Sequence, residues 1–156
     1  MFKSRRKFIK QCLSITTYSI TLASGLLRSS IANAEWQKEK FQDGSYKETI
    51  NKLYKEAKFT KSNKIHFSRL PKVAENGALV PITVTSTLKN VSKISILVEK
   101  NPRPLIAEFY LSPSMAPHVS ARFKMAKHSK VIVLVEAEGK FYKKTQYVKV
   151  TKDGCG

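Results

Sequence analysis

From residue 64 onward the chain gives up helical spacing for short apolar runs cut by turn residues, and this pattern limits the fold more than any other feature. Asn76-Gly77, Asn101-Pro102-Arg103-Pro104, Ser112-Pro113-Ser114 and Glu138-Gly139 supply the punctuation, in residue types whose backbone preferences favour turns. Between them the pattern predicts strands over residues 64–70, 79–88, 91–99, 105–111, 119–125, 131–138 and 140–151. Strands repeating at intervals of about 8 to 12 residues, with no helix between them, do not fit a βαβ fold. They fit a mainly β chain of immunoglobulin-like, antiparallel β-sandwich type.

Two of these runs say more. Pro81 cannot donate to a ladder, so its strand belongs at an edge or bulges there. Val131-Ile132-Val133-Leu134-Val135 is apolar on both faces. It calls for a central strand, or one whose second face is covered by a helix or another protein. Ahead of the strands, Ser45 and Glu48 have capping-box spacing, and Tyr46, Ile50, Leu53, Tyr54 and Ala57 recur at helical intervals. This predicts an N-terminal helix ending near Lys58. Residues 35–44 are mostly polar and read as a loosely held arm, with Trp36 and Phe41 as docking points.

The first residues have a different character. Arg5 and Arg6 sit in a basic stretch, followed over residues 11–27 by an apolar segment diluted by Thr16, Thr17, Ser19, Thr21 and Ser24. Ala32-Asn33-Ala34 then supplies a small-x-small cleavage site. Such dilution argues against a membrane anchor, and the paired arginines with Lys10 behind them fit a twin-arginine export signal. The expected organisation is a twin-arginine signal peptide at 1–34, a sandwich domain at 35–151 and a flexible tail at 152–156, with the mature protein in the periplasm.

Removing residues 1–34 takes away Lys3, Arg5, Arg6, Lys7, Lys10 and Arg28 and no acid, which lowers the formal charge from +18 to +12. A field of that sign draws anions: nucleic acid, anionic lipid, an acidic protein or small oxyanions. Export and the scattering of the basic residues argue against nucleic acid, and a solvated, lysine-rich surface accounts for much of the charge.

Cysteine use is more specific. Cys12 leaves with the signal, so Cys155 is the one thiol of the mature chain and no disulfide can close within it. An exposed lone thiol is a liability in an oxidising compartment, so its retention there calls for a reason. Gly154 and Gly156 flank Cys155 and give it backbone freedom on a short flexible arm. Six residues at about 3.3 Å each reach roughly 20 Å from the last strand, enough to enter another protein. A nucleophilic enzyme would instead hold a base beside the sulfur, which a tail tip cannot do.

His66, His118 and His128 raise copper as an alternative, but only Gly156 follows the cysteine, and a copper sandwich places further ligands there. No C-x-x-C pair, phosphate loop or Ser-His-Asp pattern is present. The expectation is therefore no catalytic residue, no metal site and no cofactor. The residues leave two main readings open. One is a carrier that holds cargo covalently on Cys155, and the other an exported immunoglobulin-like binding module without covalent chemistry.

Val80-Pro81-Ile82-Thr83-Val84, the run Ile96-Leu97-Val98-Glu99-Lys100-Asn101-Pro102-Arg103-Pro104, the segment Ala107-Glu108-Phe109-Tyr110-Leu111-Ser112-Pro113 and the end Val148-Lys149-Val150-Thr151-Lys152-Asp153-Gly154-Cys155-Gly156 together resemble the SoxY family of thiosulfate-oxidation carriers. The resemblance runs from about residue 78 onward. The family tail reads Gly-Gly-Cys-Gly-Gly. Here Asp153 replaces the first glycine and the last is missing, which stiffens the arm and places a negative charge near the sulfur. The resemblance implies a non-catalytic subunit that forms a heterodimer with a SoxZ-like protein and carries thiosulfate-derived sulfur on Cys155. Its implied partners are a haem-containing conjugating enzyme, a sulfate-releasing hydrolase and, where present, a sulfane dehydrogenase.

Overall fold

The structure, a computed structural model, describes residues 38–152. The signal residues Arg5, Arg6, Ala32 and Ala34, the docking point Trp36 and the tail residues Asp153, Gly154, Cys155 and Gly156 lie outside the described residues.

A short 3-10 helix at Lys38–Phe41 leads into α1 at Tyr46–Tyr54. Among the described residues nine strands follow: β1 Phe59–Lys61, β2 Ile65–Ser68, β3 Val73–Ala74, β4 Val80–Ser86, β5 Val91–Val98, β6 Leu105–Tyr110, β7 His118–Phe123, β8 Ser129–Ala137 and β9 Lys140–Val150. They form two sheets, one in the order β1-β9-β8-β5-β6 with β3 also on β9, the other β2-β4-β7. The result is a mainly β, immunoglobulin-like sandwich. The seven long runs of the sequence become β2 and β4 to β9. β1 and β3 are additions, and both pair with β9 in parallel, at Phe59↔Phe141 and at Val73↔Lys149. The sandwich is thus antiparallel except along this edge.

Alternation along the strands builds the main core. Val131, Val133 and Val135 of β8 and Ile94, Ile96 and Val98 of β5 face Val80, Ile82 and Val84 of β4, all buried. Each such side chain contributes about 1.5 to 3 kcal/mol when removed from water. β8 and β9 are joined by a two-residue turn in which Glu138 and Gly139 have φ of 52° and 69°. Two positive φ values define the turn whose twist matches a hairpin.

The other face of the larger sheet is apolar too, through Leu97, Leu105, Ile132 and Leu134, and α1 covers it with Tyr46, Ile50, Leu53 and Tyr54. β8 is therefore both central and helix-covered, and its second apolar face gives no reason to invoke another chain. The capping box forms as the sequence indicates: Ser45 Oγ accepts from the Glu48 amide at 3.2 Å, and Glu48 Oε2 accepts from the Ser45 amide at 2.9 Å. α1 stops at Tyr54 rather than near Lys58, because Lys55 turns to φ 49° and directs Phe59 into β1. Ala57, read as helical, still packs against the helix-side cluster from the turn.

Two further expectations are corrected. From Lys38 onward the arm is fastened: Phe41 packs against the helix-side cluster, the Gly44 amide donates to Pro102 O at 3.0 Å, and Arg103 pairs with Asp43 at 2.8 Å. Pro81 lies on β4, the middle strand of its sheet. It is tolerated there because β2 pairs only as far as Ser68↔Thr83, which leaves β4 single-sided at Pro81.

Under α1 the sheet carries a polar network. Tyr54 Oη and Ser95 Oγ are 2.6 Å apart, and Ser95 Oγ donates to Glu108 Oε1 at 3.3 Å. Glu108 takes Lys40 at 3.0 Å and Lys93 at 3.9 Å, while Lys93 also pairs with Glu136 at 3.2 Å and lies 4.7 Å from the Tyr54 ring centre. Burial, above all, raises the Tyr54 phenol above its ordinary range. The hydrogen bond with Tyr110 is the main cause that raises Lys40. Phe59 and Phe141 stand edge-on to Tyr54 at 5.5 Å, a geometry that favours aromatic pairs.

Candidate functional site

The cysteine-bearing tail continues from β9, so the way β9 ends decides where the sulfur can go. Val150 pairs with Ala74 of β3. One residue on, the Thr151 amide donates to Ala74 O at 3.0 Å, and its Oγ1 donates to Glu75 O at 2.8 Å. Lys152 O then accepts from the Gly77 amide at 2.9 Å, and Gly77 O accepts from the amide of buried Met125 at 2.7 Å. The segment from Ala74 to Gly77 thus clasps the chain two residues beyond the strand and ties it to the core through Met125.

The expected reach of roughly 20 Å was counted from the end of β9, whereas the Lys152 carbonyl, two residues further on, is still held by the Gly77 amide. Three residues from Lys152 to Cys155 span at most about 10 Å. The clasp was missed because it rests on backbone groups more than seventy residues apart in sequence. Its one legible signal is Thr151, a hydroxyl at the exit of the strand.

Around this exit lie exposed Lys72, Lys124, Lys149 and Lys152. Val73 and Leu79, 54% and 61% exposed, are the exposed large apolar side chains nearest the clasp in sequence. His66 and His118 face each other across Thr85 in register, with backbones about 10 Å apart at two strand spacings, and His128 lies between β7 and β8. Among the described residues no three His, Cys, Asp or Glu side chains gather to hold a metal ion. No described helix is long and apolar enough to cross a membrane.

A two-sheet sandwich whose last strand is clasped at Thr151 and Lys152, just ahead of Cys155, defines a small, mainly β, immunoglobulin-like protein. The model of the family "Sulfur oxidation protein SoxY" matches residues 50–155, a span that includes Cys155, and the chain belongs to that family. The solved structure of the sulfur carrier protein SoxY from Chlorobium limicola f thiosulfatophilum is 37% identical. It aligns over 66% of this chain and 89% of that one, with a TM-score of 0.61. A superoxide reductase (neelaredoxin) from Ignicoccus hospitalis, 12% identical over 56% of this chain and 80% of its own, with a TM-score of 0.50, shares the fold alone. No curated protein matches the chain. The chain is thus a sulfur carrier of a sulfur oxidation system, not an enzyme, and its partners belong to that system.

Proposed function

We propose that the chain carries thiosulfate-derived sulfur covalently on Cys155 in the periplasm, after export by the signal at residues 1–34. The observation that carries this reading is that the family match extends through residue 155, the one thiol that remains when the signal is removed. The clasp at Thr151 and Lys152 supports it: a fixed root and a span of at most about 10 Å suit a short tether.

The chemistry is a two-electron coupling followed by hydrolysis. The Cys155 thiolate and the sulfane sulfur of thiosulfate form a sulfur–sulfur bond, and two electrons pass to a haem-containing enzyme. Water then attacks the terminal sulfonate, sulfate leaves on a metal-dependent hydrolase, and a persulfide stays on Cys155 for a sulfane dehydrogenase or another acceptor. Tethering keeps each intermediate at high effective concentration near the next active site. A SoxZ-like subunit completes the carrier as a heterodimer. Because Cys155 reaches so short a way, each enzyme must dock close to residues 74–79 and 124–125.

Replacing Cys155 by serine tests the reading. Thiosulfate oxidation by the reconstituted system should stop while the fold and partner binding persist. Unchanged turnover with Cys155→Ser would refute covalent carriage.

A further inference from the structure

The outer face of the three-stranded sheet has a notch where β2 ends at Ser68 opposite Thr83 while β4 and β7 continue to Pro81↔Arg122. Pro81 has no N–H, so no further strand is invited to fill it. An open hollow of about 360 Å³ lies there, lined by Arg69, Pro81, Ser120, Ala121 and Arg122.

No carboxylate lines this hollow. Among the described residues neither arginine takes part in an ion pair, whereas Arg103 is held by Asp43. Arg69 holds φ 63°, a conformation that glycine would adopt without strain, yet the position carries a guanidinium. Its loop is fixed, because Gln146 Nε2 donates to Leu70 O at 3.0 Å and the Lys149 amide to Lys72 O at 2.9 Å. The Ser120 hydroxyl, 3.0 Å from Thr83 Oγ1, adds a polar group beside the arginines.

We propose that this hollow binds a small oxyanion of the sulfate or sulfonate type. Guanidinium forks match such oxygens in geometry, and the basic chain draws anions toward them. The group comes either from free anion or from the sulfonate end of cargo on Cys155. Only the second source rests on the carrier reading. Lys152 is bonded to Gly77, four residues and at most about 14 Å from Pro81, a distance of the same order as the roughly 10 Å tail lengthened by the Cys155 side chain and its cargo.

Side-chain Nε–H resonances of Arg69 and Arg122 read both sources. In the first arm, Cys155→Ser protein is titrated with sulfate and with thiosulfate. Both resonances should shift saturably, with a dissociation constant on the order of a millimolar. Affinity should weaken about fivefold or more in Arg122→Gln and in Arg69→Gly, the latter keeping a backbone that suits φ 63°. No saturable shift, or affinity unchanged in both variants, overturns the site. In the second arm, the native protein is treated with tetrathionate, whose central bond the Cys155 thiolate opens to leave Cys–S–S–SO₃⁻ and release thiosulfate, and free anions are removed. Shifted arginine resonances then assign the site to tethered cargo. Resonances at their anion-free positions exclude that source and leave free oxyanion as the occupant, while the mass of Cys155 reports separately whether the cysteine took up the group.

Discussion

The Gly77 amide donates to the carbonyl of Lys152 at 2.9 Å, three residues before the cysteine. Thr151 beside it bonds Glu75 O through its hydroxyl at 2.8 Å. Thr151→Val keeps the β-branched strand end and removes that bond, so unfolding stability should fall by only about 1 kcal/mol. Amide hydrogen exchange should quicken at Gly77 and Met125 more than at Ile96 in the core. Uniform exchange changes across these amides would contradict a local clasp.

Tyr54 reaches through the helix-side core to Ser95 at 2.6 Å. Tyr54→Phe should cost about 1 to 2 kcal/mol at neutral pH by leaving Ser95 one partner short. Burial raises the Tyr54 phenol above its usual value of 10.0, and Lys40 is raised above 10.5, chiefly by its hydrogen bond with Tyr110. A raised folded value gives stability that is complete below the unfolded value and is lost as pH climbs through the folded one. Stability measured by denaturant titration should therefore decline above about pH 10, and Tyr54→Phe should flatten that decline.

α1 owes its start to Ser45 and its hold on the sheet to the cluster around Leu134. Ser45→Ala should cost about 1 kcal/mol. Leu134→Ala, which opens a void beneath the helix, should cost about 2 to 5 kcal/mol. Circular dichroism melts of the two variants check both values, and near-equal losses would contradict the packing described.

Leu79 lies two residues from the clasp with 61% of its surface exposed. If Cys155 bears the cargo as proposed, its span of at most about 10 Å from Lys152 requires partner enzymes to contact this end of the sandwich. Leu79→Glu should leave stability within about 0.5 kcal/mol and slow the loading of Cys155 several-fold. Unchanged loading would place the docking surface elsewhere.

The seven long strands were legible because short apolar runs broken by turn residues survive in any sheet order, and the capping box at Ser45 and Glu48 is local chemistry. Elements made by distant partners were not. Phe59–Lys61 and Val73–Ala74 are too short to show a period and become strands only because β9 lies beside them. Lys55 ends α1 through a left-handed backbone that no residue type there announces. Pro81 was read as marking an edge or a bulge, yet its strand is central and only its own position is one-sided. Lys93 and Ser95 alternate with apolar Ile94 and Ile96 on β5, so an outer face was readable there, but not that Glu108 and Tyr54 would meet it. For the site, the cysteine was visible as a residue, whereas its anchor at Lys152 depends on Gly77.

The central claim is that Cys155 is the atom that bears the cargo. Peptide mass mapping of the protein taken from cells oxidising thiosulfate tests it most directly. The account predicts sulfane and sulfonate additions confined to the peptide containing Cys155 that disappear when thiosulfate is withdrawn. An unmodified Cys155 peptide during active oxidation would contradict it.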